Sequence, residues 1–256
     1  MWLDPNGFLQ KNKKNQKIAC LVPSLTELFL EYGLYNQLVA RTKFCVHPHA
    51  MVRSIPKIGG TKKVNLAKLK SLNPDIVVAN KEENTLQDIQ KVTAFAPVFV
   101  SDIQTLDDLE SFVSSFSKAV PEFKALSFIK KLQNLIWNVP HLPKTVAYLI
   151  WNDPMMTIGH DTFIHHILSI GGFVNVFAER SRYPIVTWEE LSAKNMDYIF
   201  LSSEPFPFSN KHLQFFSEKL PNSKTILVDG EMFSWYGSKV LKMPEYLFHL
   251  QRTFEK

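Results

Sequence analysis

Cysteine is scarce in this chain. Cys20 and Cys45 are the whole supply, too little for a disulfide framework, and Cys20 sits inside an apolar run of strand length, so the expectation is two free thiols with Cys20 in the core. Long hydrophobic runs are also missing. No stretch approaches the roughly eighteen apolar residues that a membrane-crossing helix needs, and the opening MWLDPNGFLQKNKKNQ lacks the apolar centre of an export signal. As written, the sequence addresses the chain nowhere: either it works in the cytoplasm or a leader lies outside the sequence. The glycine loops that cradle nucleotide phosphates are absent, since IGGTKK has the wrong spacing and no GxGxxG occurs, and there is no G-x-S-x-G elbow for a serine nucleophile. The net charge of +5 owes much to Lys11, Lys13, Lys14 and Lys17 in the leading tail, read as a solvated run. No basic groove with aromatic interleaving stands out, so nucleic acid is not an expected partner.

What is present is a chain of 256 residues, 45% hydrophobic, enough for one large or two small globular domains. KIACLV (17–22) reads as a buried strand, Pro23-Ser24 as a turn and LTELFLEYG as a helix closed by Gly33. A weaker strand, VARTKF (39–44), leads into the loop CVHPHAMVRSIP. NLAKLKSL is a helix capped by Asn65, DIVVAN (75–80) a strand, LQDIQKVTAF a helix and PVFVSD (97–102) a strand. The same order recurs later, with TVAYLIWND (145–153), the helix HDTFIHHILSIGG, WEELSAKN capped by Thr187, MDYIFLSS (196–203), HLQFFSEKL, KTILVDG (224–230) and a helical stretch from Ser238 to Phe254. Continuously apolar strands alternating with helices indicate mostly parallel sheets covered on both faces.

NLAKLKSLNPDIVVANKEE laid over TWEELSAKNMDYIFLSSEP matches element for element, pairing Asp75 with Asp197, Asn80 with Ser202, Lys81 with Ser203 and Glu82 with Glu204; PVFVSD over TILVDG pairs Asp102 with Asp229. The chain therefore reads as a domain duplication. Between the copies, Thr105 caps one helix with Asp107 and Asp108 in its first turn. From Pro121, the spacing of Ala125, Phe128, Ile129, Leu132, Leu135, Ile136 and Val139 predicts a single helix stopped by Pro140 and Pro143, about 28 Å long at about 1.5 Å per residue. The expected organisation is an α/β fold of two Rossmann-like lobes with mostly parallel sheets, residues 1–104 and 141–256, joined over 105–140 by one long backbone helix.

In open parallel sheets ligands sit beyond the carboxyl ends of the strands. Those ends are Val22-Pro23-Ser24, Asn80-Lys81-Glu82, Trp151-Asn152-Asp153 and Ser202-Ser203-Glu204. Glu82 and Glu83 in KEEN and Glu204 in SEPFPF are either solvated loop ends or matched acidic contacts for a partner, and no group is visible that would split their pKa values for acid–base work. Cys45, His47 and His49 alternate along a loop, and His160, His165 and His166 lie on or near one helix; zinc sites show tighter pairs, so loop and surface roles weigh against a metal.

IACLVPSLTELFLEYGL, RTKFCVHP, IGGTKKVNLAKLKSLNPDIVVANKEEN, IWNDPMMTIGHDTFIHHILSIGG and DYIFLSSEPFPF together resemble the helical-backbone periplasmic binding proteins, which deliver cobalamin, haem or ferric siderophores to ABC importers, most closely the cobalamin branch. The resemblance covers nearly everything from Lys17 onward. It implies a ligand held in a cleft between two lobes, no covalent cofactor, no enzymatic activity, a periplasmic or cell-surface location, and acidic residues docking on the permease, a role carried here to Glu82, Glu83 and Glu204. The expected reading is a monomeric binding protein for a cobalamin-like or ferric-chelate ligand, lined by Pro23, Ser24, Phe44, Asn80, Lys81, Trp151, Asn152, Ser203 and Tyr236. The rival is a cytoplasmic enzyme or carrier of metal or tetrapyrrole metabolism with His47 or His160 as base or ligand.

Overall fold

The computed structural model describes residues 1–4, 6–7, 13–137 and 143–252. They form two compact units, Met1–Asn134 with Tyr236–Ser238, and Leu135–Trp235 with Lys239–Lys256.

The first unit is built on a sheet ordered β1 (Trp2–Leu3), β5 (Val98–Ser101), β4 (Ile76–Asn80), β2 (Ile18–Cys20), β3 (Leu38–Arg41), parallel apart from β1, which pairs antiparallel with β5. β2 and β4 are buried along their whole length, as unbroken apolar runs in a covered parallel sheet must be. Their register sets Ile18 against Ile76 and Cys20 against Val78. The helices are α1 (Pro23–Glu31), α2 (His49–Val52), α3 (Leu66–Ser71), α4 (Leu86–Val92), α5 (Leu106–Ser117) and α6 (Ala125–Gln133). Local chemistry fixes where they start. Pro23 fills the first position of α1, the Asn65 side chain accepts from Lys68 N, and Thr105 and Asp108 close a reciprocal capping box.

α5 and α6 both belong to the first unit, and the helix expected over 121–139 is half as long as its apolar spacing suggests. α6 has nine residues, about 14 Å at the helical rise. Val120 and Phe123 are buried in the turn after α5, and Lys124 N donates to Tyr32 O at the end of α1 (2.9 Å), so the chain is fastened before the helix can begin and Pro121 falls outside it. At the other end Asn134 Nδ2 turns back to Lys130 O, and Ile136 is exposed; Val139 and Pro140 lie outside the described residues. What holds α5 to its sheet is a run of rings. Phe112 and Phe116 stack on Phe99 of β5 at 5.2 and 5.6 Å, and Phe116 stacks on Phe29 of α1 at 4.8 Å.

The second unit centres on β6 (Lys144–Asn152), with β9 (Tyr198–Ser202) and β10 (Lys224–Val228) parallel to one side. β7 (Met155–Thr157) folds back antiparallel on the end of β6, and β8 (Phe173–Asn175) runs parallel to its start. Neither was expected: each has three residues, too few to show a period. The helices are α7 (Phe163–Ile170), α8 (Trp188–Ala193), α9 (Asn210–Lys219), α10 (Glu231–Ser234) and α11 (Met243–Arg252). Thr187 and Glu190 form the capping box of α8. The stretch from Ser238 opens with a 3-10 turn, Ser238–Lys242, and Pro244 falls in the first turn of α11; residues 253 and 254 lie outside the described residues.

The duplication extends to hydrogen bonds. Asp75 accepts from Lys17 N and Asp197 from Thr145 N, both at 2.8 Å, and each aspartate returns its own backbone N–H to the same residue's carbonyl. Lys13, expected to be solvated, pairs with Asp75 at 2.6 Å; Lys11 lies outside the described residues. No helix among the described residues is long and apolar enough to cross a membrane.

Candidate functional site

At the carboxyl end of β4, Asn80 is buried and fully engaged. Its Nδ2 donates to Ser101 O and Oγ, and its Oδ1 accepts from Glu82 N at 2.8 Å and Glu83 N at 3.2 Å. Asn80 therefore shapes the KEEN loop and does not face solvent. Lys81 does: it is exposed and pairs with Asp102 at 2.7 Å. Glu82 and Glu83 are half-buried, and the Glu83 carboxylate accepts from Tyr236 Oη at 2.6 Å, within the first unit. Tyr236 is buried, and Gly237 packs so closely on Ser24 that a Cβ there would meet the Ser24 carbonyl. Pro23 and Ser24 are buried too, so these four expected lining residues build the rim from beneath. A groove of about 680 Å³ flanked by Asn80, Lys81, Phe99 and Phe112 also lies in this unit, but Lys81, Asp102 and Asp108 at its edge are already paired or capping.

The loop after β3 is fastened by a buried cation. Arg41 Nε donates to Val52 O at 2.8 Å, and Nη1 donates to Cys45 O at 2.9 Å and Thr42 O at 3.2 Å. Between these anchors the side chains alternate: Cys45 points in, Phe44 and Val46 out. Phe44 is 50% exposed, with the Lys43 ammonium 4.9 Å from its ring centre. Inward-facing Cys45 accepts from the Thr26 hydroxyl at 3.2 Å, with the Thr42 hydroxyl at the same distance. Burial raises the pKa of both thiols. Both should resist a soluble disulfide reagent in the folded protein and react in full in denaturant, a result read directly from released thiolate.

In the second unit, Ser202 occupies the place that Asn80 has in the first. Its Oγ accepts from Glu204 N and from Tyr148 Oη, and it turns the loop that follows. Ser203 is exposed, its hydroxyl accepting from Gly230 N at 2.9 Å. Glu204 is turned inward: its carboxylate accepts from Ser234 Oγ at 2.8 Å and Trp235 Nε1 at 2.9 Å, and a Cβ on Gly230 would come within 2.6 Å of its Cγ. Burial is the main reason its pKa is raised, with Glu231 and Asp229 adding to it while the two donors pull it back. A carboxyl raised in the folded state contributes stability below its unfolded value of about 4.3, and that contribution is lost as pH rises through the folded value. Glu204→Gln keeps an acceptor for both donors and should raise the urea midpoint at pH 8 more than at pH 5; an equal shift at both pH values would contradict this. Trp151, 38% exposed, donates Nε1 to Asp153 O and meets Phe206 edge to face at 5.6 Å. Asn152 beside it is half-buried at the end of β6.

The histidines are dispersed. His47 and His49 belong to the first unit and His160, His165 and His166 to the second. His160 Nδ1 lies 2.8 Å from Arg180 O, and His49 faces Arg53. His165 is held below its usual pKa, chiefly by burial and then by the charges of His160 and His166. Among the described residues no group of three or more His, Cys, Asp or Glu is placed to hold a metal ion.

Lys43, Lys57, Lys62 and Lys63 are exposed, in a stretch from Arg41 to Val64 that includes Phe44 and has six Lys or Arg and no Asp or Glu. That one-sided count is their signal in the sequence.

Residues 18–118 match the periplasmic binding protein family model. The chain is 25% identical over 195 residues to a vitamin B12-binding protein of Vibrio vulnificus, covering 73% of this chain and 71% of the relative. Among solved structures, the periplasmic vitamin B12-binding protein BtuF of Vibrio cholerae superposes with a TM-score of 0.76 at 20% identity, over 94% of this chain and 98% of that one. The periplasmic heme-binding protein HutB of the same organism gives 0.79 at 18% identity, over 93% and 99%. Taken with the paired parallel sheets and the duplicated strand-end loops, these matches show that residues 18–118 are similar to the periplasmic binding protein family model and that the chain has the two-unit α/β fold of those solved binding proteins.

Proposed function

We propose that this protein is a substrate-binding protein, not an enzyme, that carries a cobalamin-like or ferric-chelate ligand to an ABC importer, working as a monomer outside the cytoplasm. The observation that carries the reading is the fold likeness over more than nine-tenths of the chain, joined to exposed aromatic rings on strand-end loops of each unit, Phe44 and Trp151. Rings of this kind grip flat, largely apolar ligands, while a few polar groups set orientation. Phe44, Lys81, Trp151, Asn152 and Ser203 are the contacts we assign, with Pro23, Ser24, Asn80 and Tyr236 holding their loops in shape. Glu82 is the docking carboxylate on the first unit; Glu83, held by Tyr236, and Glu204, engaged by Ser234 and Trp235, support their own loops and would have to turn outward to dock. The test is to pass the purified protein over a sizing column after incubation with cyanocobalamin, ferric protoporphyrin IX or a ferric siderophore. The reading expects one chromophore to travel with the protein in a one-to-one ratio, and free passage of all three overturns it.

A further inference from the structure

Lys43 and Lys63 are both tied by backbone hydrogen bonds to the Gly59-Gly60 turn, which brings together segments distant in sequence. Lys43 N donates to Gly59 O at 2.7 Å, and Gly60 N donates to Lys63 O at 3.0 Å, closing a turn in which Gly59 takes φ +100°. Gly60 lies against the aromatic ring: a Cβ there would sit 3.3 Å from Phe44 Cε2 and 3.6 Å from Lys43 Cε. Lys62 Nζ donates to the Glu82 carbonyl, a neutral acceptor. Among the described residues none of Lys43, Lys57, Lys62 and Lys63 pairs with a carboxylate. Acids on the second unit's loops are, by contrast, met internally: Glu231 by Lys239 at 2.7 Å, and Glu204 by Ser234 and Trp235. The Lys43 ammonium over Phe44 and the nearby Lys62 and Lys63 are therefore not ion-paired, and the Arg41 clamp fixes the loop beneath them.

We infer that this rim selects for charge: the ligand is a flat chelate carrying carboxylates at its edge, with its ring against Phe44 and its carboxylates against Lys43, Lys62 and Lys63, and a corrinoid whose periphery is neutral amide binds less well. The inference rests on the binding-protein reading above and narrows it to a ligand class. A cation poised over one aromatic face leaves the remaining exposed face for a ring, and nearby ammonium groups without counter-ions meet anionic oxygens without first breaking an ion pair. Attraction between exposed groups of this kind is screened by salt.

The test titrates the full chain with ferric protoporphyrin IX, which has two propionates, and with cyanocobalamin, reading visible difference spectra at low salt and at about 0.3 M NaCl. The expected result is porphyrin affinity at least about tenfold above that of cyanocobalamin, several-fold weaker in high salt, and reduced about tenfold in the K43Q/K62Q/K63Q variant with its melting temperature unchanged. Cyanocobalamin binding as tightly as porphyrin, or porphyrin affinity indifferent to salt and to the triple variant, overturns the charge selection while leaving the binding-protein reading in place. Failure of both ligands to bind overturns the charge selection, and failure of a ferric siderophore as well overturns the binding-protein reading. Sedimentation with phosphatidylglycerol vesicles supplies the remaining outcome: vesicle binding that the triple variant abolishes, with porphyrin affinity untouched, assigns the lysines to a membrane surface and overturns the proposal.

Discussion

Phe116→Ala is expected to destabilise the first unit by about 3–5 kcal/mol, the range for emptying a buried phenylalanine site. Phe116 has no exposed surface and touches rings from three elements: Phe29 of α1 at 4.8 Å, Phe99 of β5 at 5.6 Å and Phe112 of its own helix at 5.9 Å, with Phe123 edge-on at 5.9 Å. Those neighbours belong to elements fixed by backbone hydrogen bonds, so the site cannot collapse and the cavity persists. Urea unfolding followed by far-UV circular dichroism reads the change. A loss below about 1 kcal/mol would mean that α5 is held by something other than its rings, and the account of why it joins the first unit would fail.

Arg41→Met should cost about 3 kcal/mol and disorder the rim that carries Phe44. Each buried carbonyl left without a donor costs about 1–3 kcal/mol. Val52 O, Cys45 O and Thr42 O would all lose the guanidinium. Against that, the variant no longer buries a cation, which offsets part of the sum. Lysine cannot stand in, because one ammonium does not span three carbonyls in the plane that the guanidinium fork reaches. The measurement pairs urea unfolding with chymotrypsin cleavage at Phe44: the variant should be cut there while the wild type resists, and equal resistance in both would show that the loop holds its shape without Arg41.

Local signals in the sequence carried most of the fold. Caps at Asn65, Thr105 and Thr187 were legible because a side chain and the N–H it accepts lie within three residues. Buried strands were legible because both faces are covered, so their runs are continuous. The brace was misread for the converse reason. Apolar spacing from Ala125 to Val139 suits a helix, but whether a helix extends depends on what its ends are tied to, and the Lys124–Tyr32 bond joins residues that no local pattern connects. β1, β7 and β8 are too short to announce themselves.

The strand-end rule located the loops of the site but not the direction of their side chains. Asn80 and Ser202 were matched by the repeat, and both turn inward to shape the residues that follow. Glu204 was matched with Glu82, yet its carboxylate faces Trp235, more than thirty residues further along the chain. Alternation along the loop after Arg41 sends Cys45 in and Phe44 out, which removes the thiol from the alternating Cys-His-His set and leaves an aromatic ring among lysines.

The central claim is that the folded chain binds a small chelate, and a binding protein is stabilised by what it binds. Melting temperature measured with a ligand at about a hundred times its dissociation constant should rise by the equivalent of about 2.7 kcal/mol with ferric protoporphyrin IX, cyanocobalamin or a ferric siderophore. An unchanged melting temperature with all three at millimolar concentration would contradict it.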